Sequence, residues 1–381
     1  MKLFTKSICV AVAALVACGC NRKSEGRLPV INVRDAQLSE DLSSMLVVED
    51  VTVFEEAENG MLIHPDKAFI LEDGSIVLKD KGHRVLKFAA DGSFSGTIGM
   101  RGRGPQEYNI CRDISLSVDG NELSVMDLGN ILTYDAHDGH FIRRMEIPHH
   151  NYDEFCPGPD GGYYLFSAGP DTEDYSTLND HNVLTLISPD GSLVSGCVPR
   201  KDYILNVSLF TRTCTGTTFL RPLEGENILY EIDGNDIRPV LSIDFGDLRT
   251  PAGYLANNGM MDMPRYIMSK YFKMALYFHN TADAVCFGCM GPEGKEYHCV
   301  ADLNGRTCIA WKDMENDPSP TVIMTSDKDC FYALVYNVEA KLSMQESELN
   351  PFDRVVMDEV SSRTVPVNGN PILAKVSFRI P

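Results

Sequence analysis

The chain of 381 residues carries 34 basic and 54 acidic side chains, which gives a formal net charge of −20 at pH 7. Its apolar fraction of 44% is typical of a folded globular protein and excludes a disordered one. So acidic a surface repels phosphate backbones, which argues against nucleic-acid binding and leaves solubility as the simplest explanation of the charge.

The first 17 residues have the form of a secretory signal. Lys2 and Lys6 give a positive start, and residues 8–16 (ICVAVAALV) form a short apolar core. This core cannot span a bilayer, because a spanning helix needs about 20 apolar residues. No later segment is long and apolar enough either, so the sequence predicts no membrane-spanning helix.

The signal ends in Leu15-Val16-Ala17-Cys18, which resembles the lipobox of bacterial lipoproteins. The resemblance implies a diacylglycerol on the Cys18 thiol, cleavage before Cys18 and acylation of the new amine. Cys20 fits less well because Ala17 then stands at the position of Leu15. The alternative is an ordinary signal peptide that is followed by a chance cysteine. We therefore predict a signal peptide at 1–17, a lipid-anchored linker at 18–40 and one folded domain at 41–381.

Asp-Gly turns recur along the first half of the folded region. They lie at 73–74, 91–92, 119–120, 138–139, 160–161 and 190–191. Asp-Gly suits tight hairpins because both residues tolerate a positive φ. Short β-rich runs flank each turn, and two turns recur in each unit of roughly 45 residues, which is typical of a four-stranded propeller blade.

The pattern predicts an all-β fold, a six-bladed β-propeller. The predicted blades cover about 66–98, 113–147, 155–198, 212–245, 282–312 and 320–380. A short helical insertion is predicted near 263–276, where apolar residues have helical spacing, and 341–364 is predicted to be a polar loop with a little helix. Residues 47–54 and 372–380 are both β-rich. We expect these terminal strands to close the ring in one blade, because open sheet edges must be avoided.

Residues 98–108 (IGMRGRGPQEY) resemble the signature iG-x-x-G-x-GP-x-EY of the NHL-like six-bladed β-propeller lipoproteins of Gram-negative anaerobes. Further similar stretches are 131–135, 297–305 and 370–373, so the resemblance covers nearly all of the mature chain. It implies six blades and a lipid anchor, and it implies no reaction. Gln106 departs from the family, which often has Gly there, so a close backbone approach is not expected at this position.

The best candidate for ligand binding is the loop Arg101-Gly102-Arg103-Gly104-Pro105 with Glu107 and Tyr108. Glycines let backbone N–H groups converge on an anion, and two arginines can pair with carboxylate or phosphate. Glu107 could instead hold one arginine in place. The alternative is a structural turn whose glycines only allow the chain to cross between blades.

Two other groups are weaker candidates. Ten cysteines follow Cys18, and Cys286-x2-Cys289 with Cys299 and Cys308 lacks the paired spacing of a zinc ribbon. We expect buried thiols there, with one disulfide or a metal site as alternatives. The His149-His150 pair, with acidic residues close by, is expected to be a polar loop because adjacent side chains on an extended segment point oppositely. No metal or cofactor is predicted.

No catalytic constellation is visible in the sequence, and enzymatic activity stays open. The function predicted is that of an envelope-anchored lipoprotein, on the outer membrane, which serves as a non-catalytic binding or scaffolding module. Its expected partners are the membrane, through the lipid, and an envelope protein, a peptide or a glycan. The alternative is a propeller enzyme, a lyase or a lactonase-like hydrolase, with its site at the central channel, by analogy of fold alone.

Overall fold

The fold is that of a computed structural model, which describes residues 28–34, 36–56, 61–62, 64–147, 152–167, 182–199, 209–221, 227–251, 254, 263–273, 275–303, 307–314 and 321–380. These residues form six small sheets in a ring, a six-bladed β-propeller, which confirms the predicted fold class. Several predicted features lie outside the described residues: the signal 1–17, Cys18, Cys20, His149, His150 and residues 304–305.

Three strands precede the first blade, namely β1 Val30–Asn32, β2 Gln37–Leu38 and β3 Leu46–Val53. Blade one contains β4 to β7, at Pro65–Ile70, Ile76–Asp80, Val85–Phe88 and Phe94–Thr97. Blade two contains β8 to β11, at Asp113–Leu116, Glu122–Asp127, Asn130–Asp135 and Phe141–Glu146. Blade three contains β12 to β15, at Glu154–Pro157, Tyr163–Phe166, Asn182–Ile187 and Leu193–Pro199. All three blades follow the sequence-predicted boundaries closely.

Blade four contains β16 to β19, at Phe210–Arg212, Thr218–Leu220, Ile228–Asp233 and Asp236–Asp244. Blade five contains β20 to β23, at Ala275–Asn280, Ala284–Met290, Glu296–Asp302 and Cys308–Lys312. Blade six contains β24 to β26, at Val322–Ser326, Phe331–Val335 and Ile372–Phe378. Four short 3-10 turns lie at Pro159–Gly161, Gly246–Leu248, Pro292–Gly294 and Glu346–Glu348.

Two insertions carry the described α-helices. Helix α1, Met263–Ile267, precedes blade five, while α2, Val338–Ser343, and α3, Pro351–Ser362, lie between β25 and β26. The first insertion holds less helix than the sequence predicts, because Ala275 already begins β20, the inner strand of blade five. Among the described residues, no helix has the length and the apolar character that crossing a membrane requires.

The core is a ring of six apolar clusters, one between each pair of neighbouring blades. Successive side chains on a strand point to opposite faces of the sheet. Ile76 and Leu78 therefore pack against blade six, while Val77, between them, packs against blade two. Strands that are covered on both faces read as continuous apolar runs, which is why β5 is buried along its whole length.

The two faces of the ring differ in their connections. The four strands of each blade are antiparallel, so the hairpins after the first and third strands of a blade emerge on one face, which we call the turn face. All six predicted Asp-Gly turns are hairpins of this kind, and their glycines have φ between 77° and 87°. The remaining connections, which include both helical insertions and the links between blades, emerge on the opposite face, which we call the loop face.

The ring is closed by strands from both ends of the folded region. Strand β3 pairs antiparallel with β26, with Val53 opposite Ile372 and Leu46 opposite Phe378. It forms the outermost strand of blade six, as predicted for residues 47–54. The two strands before it lie in the segment 18–40 that we predicted as linker. Strand β1 adds parallel to β19 of blade four, and β2 adds parallel to β23 of blade five.

Candidate functional site

The predicted ligand loop, residues 98–108, runs from β7 toward β8 on the loop face. Arg101 and Arg103 are both exposed. Arg101 Nε donates to the carbonyl of Asn109 at 3.2 Å, whereas Arg103 has no hydrogen-bond or ion-pair partner within the described part of the chain. The backbone that follows is held by Asp127, whose carboxylate accepts from the Asn109 N–H at 3.0 Å. The loop therefore presents two guanidinium groups from a fixed backbone.

Glu107 folds back into the loop instead of pairing with an arginine. Its Oε2 accepts a hydrogen bond from the backbone N–H of Gly104 at 2.8 Å. A Cβ on Gly102 would stand 1.9 Å from the same oxygen, so the loop needs a residue without a side chain there. The Gly104 N–H therefore binds the carboxylate of Glu107 itself, whereas the Gly102 N–H donates to the Tyr108 carbonyl at 2.9 Å.

Tyr108 supports the loop from the side of the apolar core. It is 2% exposed and packs in the core between blades one and two, and this burial raises the pKa of its hydroxyl. Tyr134 of blade two donates from its hydroxyl to the carbonyl of Gln106 at 2.9 Å. A Cβ on Gly99 would lie 2.6 Å from the ring of Tyr134. Of the four predicted site residues, the two arginines face solvent and Glu107 and Tyr108 hold the loop.

The channel side of the ring carries a second group of charges, at the starts of the inner strands of blades one to three. Lys67 Nζ lies 2.8 and 3.0 Å from the two carboxylate oxygens of Asp113. Asp113 also accepts from the backbone N–H of Phe155 at 3.1 Å. In the same way Glu154 accepts from the N–H of Phe210, in blade four, at 3.1 Å. Each acid therefore joins its own blade to the next one.

These channel charges also shift one another's pKa. Burial lowers the pKa of Lys67, but the neighbouring carboxylates of Asp113 and Glu154 outweigh it and the net shift is upward. The pKa of Glu154 is raised, first by burial and then by Asp113, although Lys67 and Arg221 oppose the rise. The Glu154 carboxylate accepts two backbone N–H groups and lies beside cations, so its contacts hold neighbouring blades together.

Polar contacts of this kind also hold the other three blade junctions. They join Arg221 to the Leu276 carbonyl, the Ser326 hydroxyl to the Asn280 carbonyl at 2.6 Å, and the Tyr336 hydroxyl to the Pro65 carbonyl at 2.7 Å. Together with the charged contacts of blades one to three, they connect neighbouring blades at all six junctions of the ring, close to the inner strands. Such contacts favour a rigid ring.

The cysteines that the structure describes are free thiols, at positions 111, 156, 214, 286, 289, 299, 308 and 330. Six of them are buried, and Cys214 and Cys308 are partly exposed. The Cys299 thiol contacts those of Cys289 and Cys308. The contact with Cys289 and burial hold the pKa of Cys299 well above the usual range, although the contact with Cys308 opposes the rise. Thiols with raised pKa values are poor nucleophiles and poor metal ligands at neutral pH.

One polar group was not predicted from the sequence. Glu296, His298 and Asp313 offer one ligand atom each, and these atoms lie within 4.8 Å of one another. Glu296 and His298 are two positions apart on β22 and so share a face, while Asp313 directly follows the neighbouring strand β23. The Glu-x-His spacing could have indicated the first two residues. Asp313 could not be added without knowing that β22 and β23 pair.

Comparison with solved structures agrees with this architecture. One similar solved structure is that of a Bacteroides fragilis protein, which is described as an exported protein on the basis of inference. It is 15% identical to this chain with a TM-score of 0.73, and the match covers 93% of this chain and 100% of that one. At this identity the likeness shows the fold alone. Hydrazine synthase of Kuenenia stuttgartiensis is 13% identical over 85% of this chain and 89% of its own, with a TM-score of 0.40.

A sequence search of curated proteins finds no relative of this chain. A family model does match, over residues 28–377, which is most of the chain and extends from before β1 into β26. The chain belongs to this family, described as "Domain of unknown function (DUF4934)".

Proposed function

We propose that this protein is a lipid-anchored propeller of the bacterial cell envelope that acts as a non-catalytic binding module. Cys18 carries the lipid, the outer membrane is its location, and the NHL-like lipoprotein family is its wider group. The lipobox and the signature at 98–108 support this placement. The loop face receives the partner, which is an envelope protein, a peptide or a glycan with acidic groups.

The observation that carries the proposal is the exposure of two arginines on a fixed backbone. Arg101 and Arg103 are exposed on a loop whose backbone is fixed by Glu107 and Asp127. Neither arginine pairs with a carboxylate of the described residues, so on a chain of net charge −20 both are available to pair with an acidic ligand. Loops held by a rigid scaffold commonly carry binding sites.

The channel charges support binding over catalysis. Lys67, Asp113 and Glu154 lie where a channel enzyme would place its acids and bases, but their polar atoms hold neighbouring blades together. Freeing them for chemistry would cost contacts between blades. The alternative of a lyase or hydrolase at the channel therefore gains no support from these residues.

The binding proposal is tested with a panel of uronic-acid glycans, sulfated glycans and acidic peptides. For the tightest binder, Arg101→Ala with Arg103→Ala should weaken affinity at least tenfold, since each charge-assisted contact contributes about 1.5–3 kcal/mol. The matched control removes Arg143 and Arg238, two surface arginines that lie on outer strands and already pair with glutamates. Equal losses in both variants would show a general charge effect and would contradict the proposed loop.

The anchor is tested separately. Cys18→Ser should abolish palmitate labelling and release the protein from the membrane fraction, because the diacylglycerol is attached through the Cys18 thiol. Cys20→Ser is the control and should change neither measurement. If Cys18→Ser still takes the label, the lipid is carried by another residue and the proposed lipobox is wrong.

A further inference from the structure

The Glu296, His298 and Asp313 group lies on the loop face, beside the helical insertion of blade six. Glu296 begins β22, Asp313 follows the end of β23, and the Asp313 N–H donates to the Glu296 carbonyl at 3.2 Å. Asn350, which caps the N-terminus of α3, donates from Nδ2 to Asp313 Oδ1 at 3.0 Å. Two blades and a helix thus meet at this point.

The side chains of His298 and Asp313 are each held by one atom and free at the other. His298 Nδ1 lies 2.7 Å from the Tyr277 hydroxyl, and Asp313 Oδ1 accepts from Asn350. The remaining atoms, His298 Nε2 and Asp313 Oδ2, are 3.0 Å apart. Both atoms are buried, and neither makes a hydrogen bond within the described part of the chain.

Leaving these two atoms unsatisfied is costly. His298 is 3% exposed, and a buried polar atom without a partner costs about 1–3 kcal/mol. The two partners of the group, Tyr277 and Asn350, already orient the imidazole and the carboxylate so that the free atoms converge. Metal-binding histidines and carboxylates are commonly fixed in this way by outer hydrogen bonds.

Glu296 adds a second carboxylate at the rim of the group. One of its carboxylate oxygens lies within 4.8 Å of the ligand atoms of His298 and Asp313. Two carboxylates this close repel each other, and a cation between them would relieve that repulsion. A cation bound there would stabilise all three side chains.

We propose that Glu296, His298 and Asp313 bind one divalent transition-metal ion of the zinc class. The ligand atoms are His298 Nε2, Asp313 Oδ2 and one carboxylate oxygen of Glu296. A tetrahedral zinc ion with bonds of about 2.0–2.2 Å separates neighbouring ligand atoms by about 3.3–3.6 Å, so the 3.0 Å between Nε2 and Oδ2 would widen only slightly on binding. The imidazole nitrogen favours zinc over calcium, which takes only oxygen ligands.

The fourth ligand of the ion is a water molecule. A cavity of about 10 Å³ adjoins His298 and Asp313 and is also lined by Trp311, Thr321 and Asn350. This volume is close to that of one water, and the polar lining supplies partners for it. The metal ties β22 and β23 to the insertion through Asn350. Its role is to fix the loop face at the junction of blades five and six.

The test uses the full mature protein after treatment with a chelator and removal of the chelator. Calorimetric titration with Zn²⁺ should show one saturable site, and Zn²⁺ should raise the melting temperature. Glu296→Gln, which keeps the shape of a half-buried side chain, should weaken binding at least tenfold. Asp313→Asn should do the same and serves as the second variant if the first folds poorly.

The matched control is Asp138→Asn in the other candidate group, Asp135, Asp138 and His140, which lies in an exposed turn on the opposite face. It should leave the zinc affinity unchanged. Replacing Zn²⁺ by Co²⁺ reports on the ligands, because cobalt bound to nitrogen and oxygen lacks the intense thiolate absorption of a cysteine site. Absence of a saturable site, thiolate absorption, or equal weakening by Asp138→Asn would overturn the proposal.

Discussion

Closure of the ring by β26 predicts a large effect of a single substitution on stability. Ile372 is fully buried between blades five and six and pairs with Val335 on one side and Val53 on the other. Ile372→Ala removes three carbons, a loss of about 2.4 kcal/mol at 0.8 kcal/mol per buried CH₂. The cavity term raises this to about 3–5 kcal/mol, since strands on both sides keep the site from collapsing.

Urea unfolding should be followed by far-UV circular dichroism and by the fluorescence of Trp311, the single tryptophan of the chain. Trp311 is 2% exposed, and its ring centre lies 5.8 Å from that of Phe378 on the closing strand. Both signals should move together to lower urea, because an opened ring exposes every blade junction. Val194→Ala, on an exposed position of an outer strand, should change the free energy by less than about 0.5 kcal/mol.

Two results would refute this reasoning. A loss below about 1 kcal/mol for Ile372→Ala would mean that closure contributes little to stability. A fluorescence transition that precedes an unchanged dichroism transition would mean that blade six frays by itself. Deletion of residues 370–381 is the stronger form of the same test and should abolish cooperative unfolding of the whole ring.

Three further predictions concern local contacts. Gly102→Ala should cost about 1–2 kcal/mol in urea unfolding because it displaces the carboxylate of Glu107, and it should cost much less in a Glu107→Ala background. Lys341→Met should cost about 3–5 kcal/mol because it leaves the fully buried Asp353 without its cation, and adding Asp353→Leu should recover part of that loss. The pKa of Asp190 is lowered to about 2 by the serine hydroxyls on either side of it. Its contribution to folding stability is therefore present above its pKa in the unfolded chain, near 4, and is lost as the pH falls toward 2. Across that range the melting temperature should fall less in Asp190→Asn than in the unchanged protein.

Much of the fold could be predicted because short local sequence motifs specify its turns. Asp-Gly at 73–74 or 190–191 specifies a tight hairpin whatever surrounds it, and the spacing of such turns counts strands. Residues 275–280 were harder. Their apolar residues also fit the end of a helix, and only the pairing with β21 decides that they form the inner strand of blade five.

The candidate sites depend on contacts that are distant in sequence. Glycines and arginines marked the loop at 98–108, but the sequence could not show that Glu107 accepts from the Gly104 N–H there. The group of Glu296, His298 and Asp313 depends on which strands pair, so it is invisible without the sheet register. Likewise β1 and β2 are too short to be recognised as strands, and they exist because blades four and five offer open edges.

The N-terminal segment has a consequence for the order of events during synthesis. Its strands β1, β2 and β3 leave the ribosome first, but Val30 must wait for Ser242 and Val53 must wait for Ile372. Contacts between residues so far apart form slowly, because a long loop must close before any pairing repays its entropy. Blades one, two and three can fold while the leading strands still hold unpaired N–H and C=O groups. For most of its synthesis the nascent chain therefore carries an unpaired, aggregation-prone N-terminal segment. A holding chaperone that binds extended segments should act on residues 30–53.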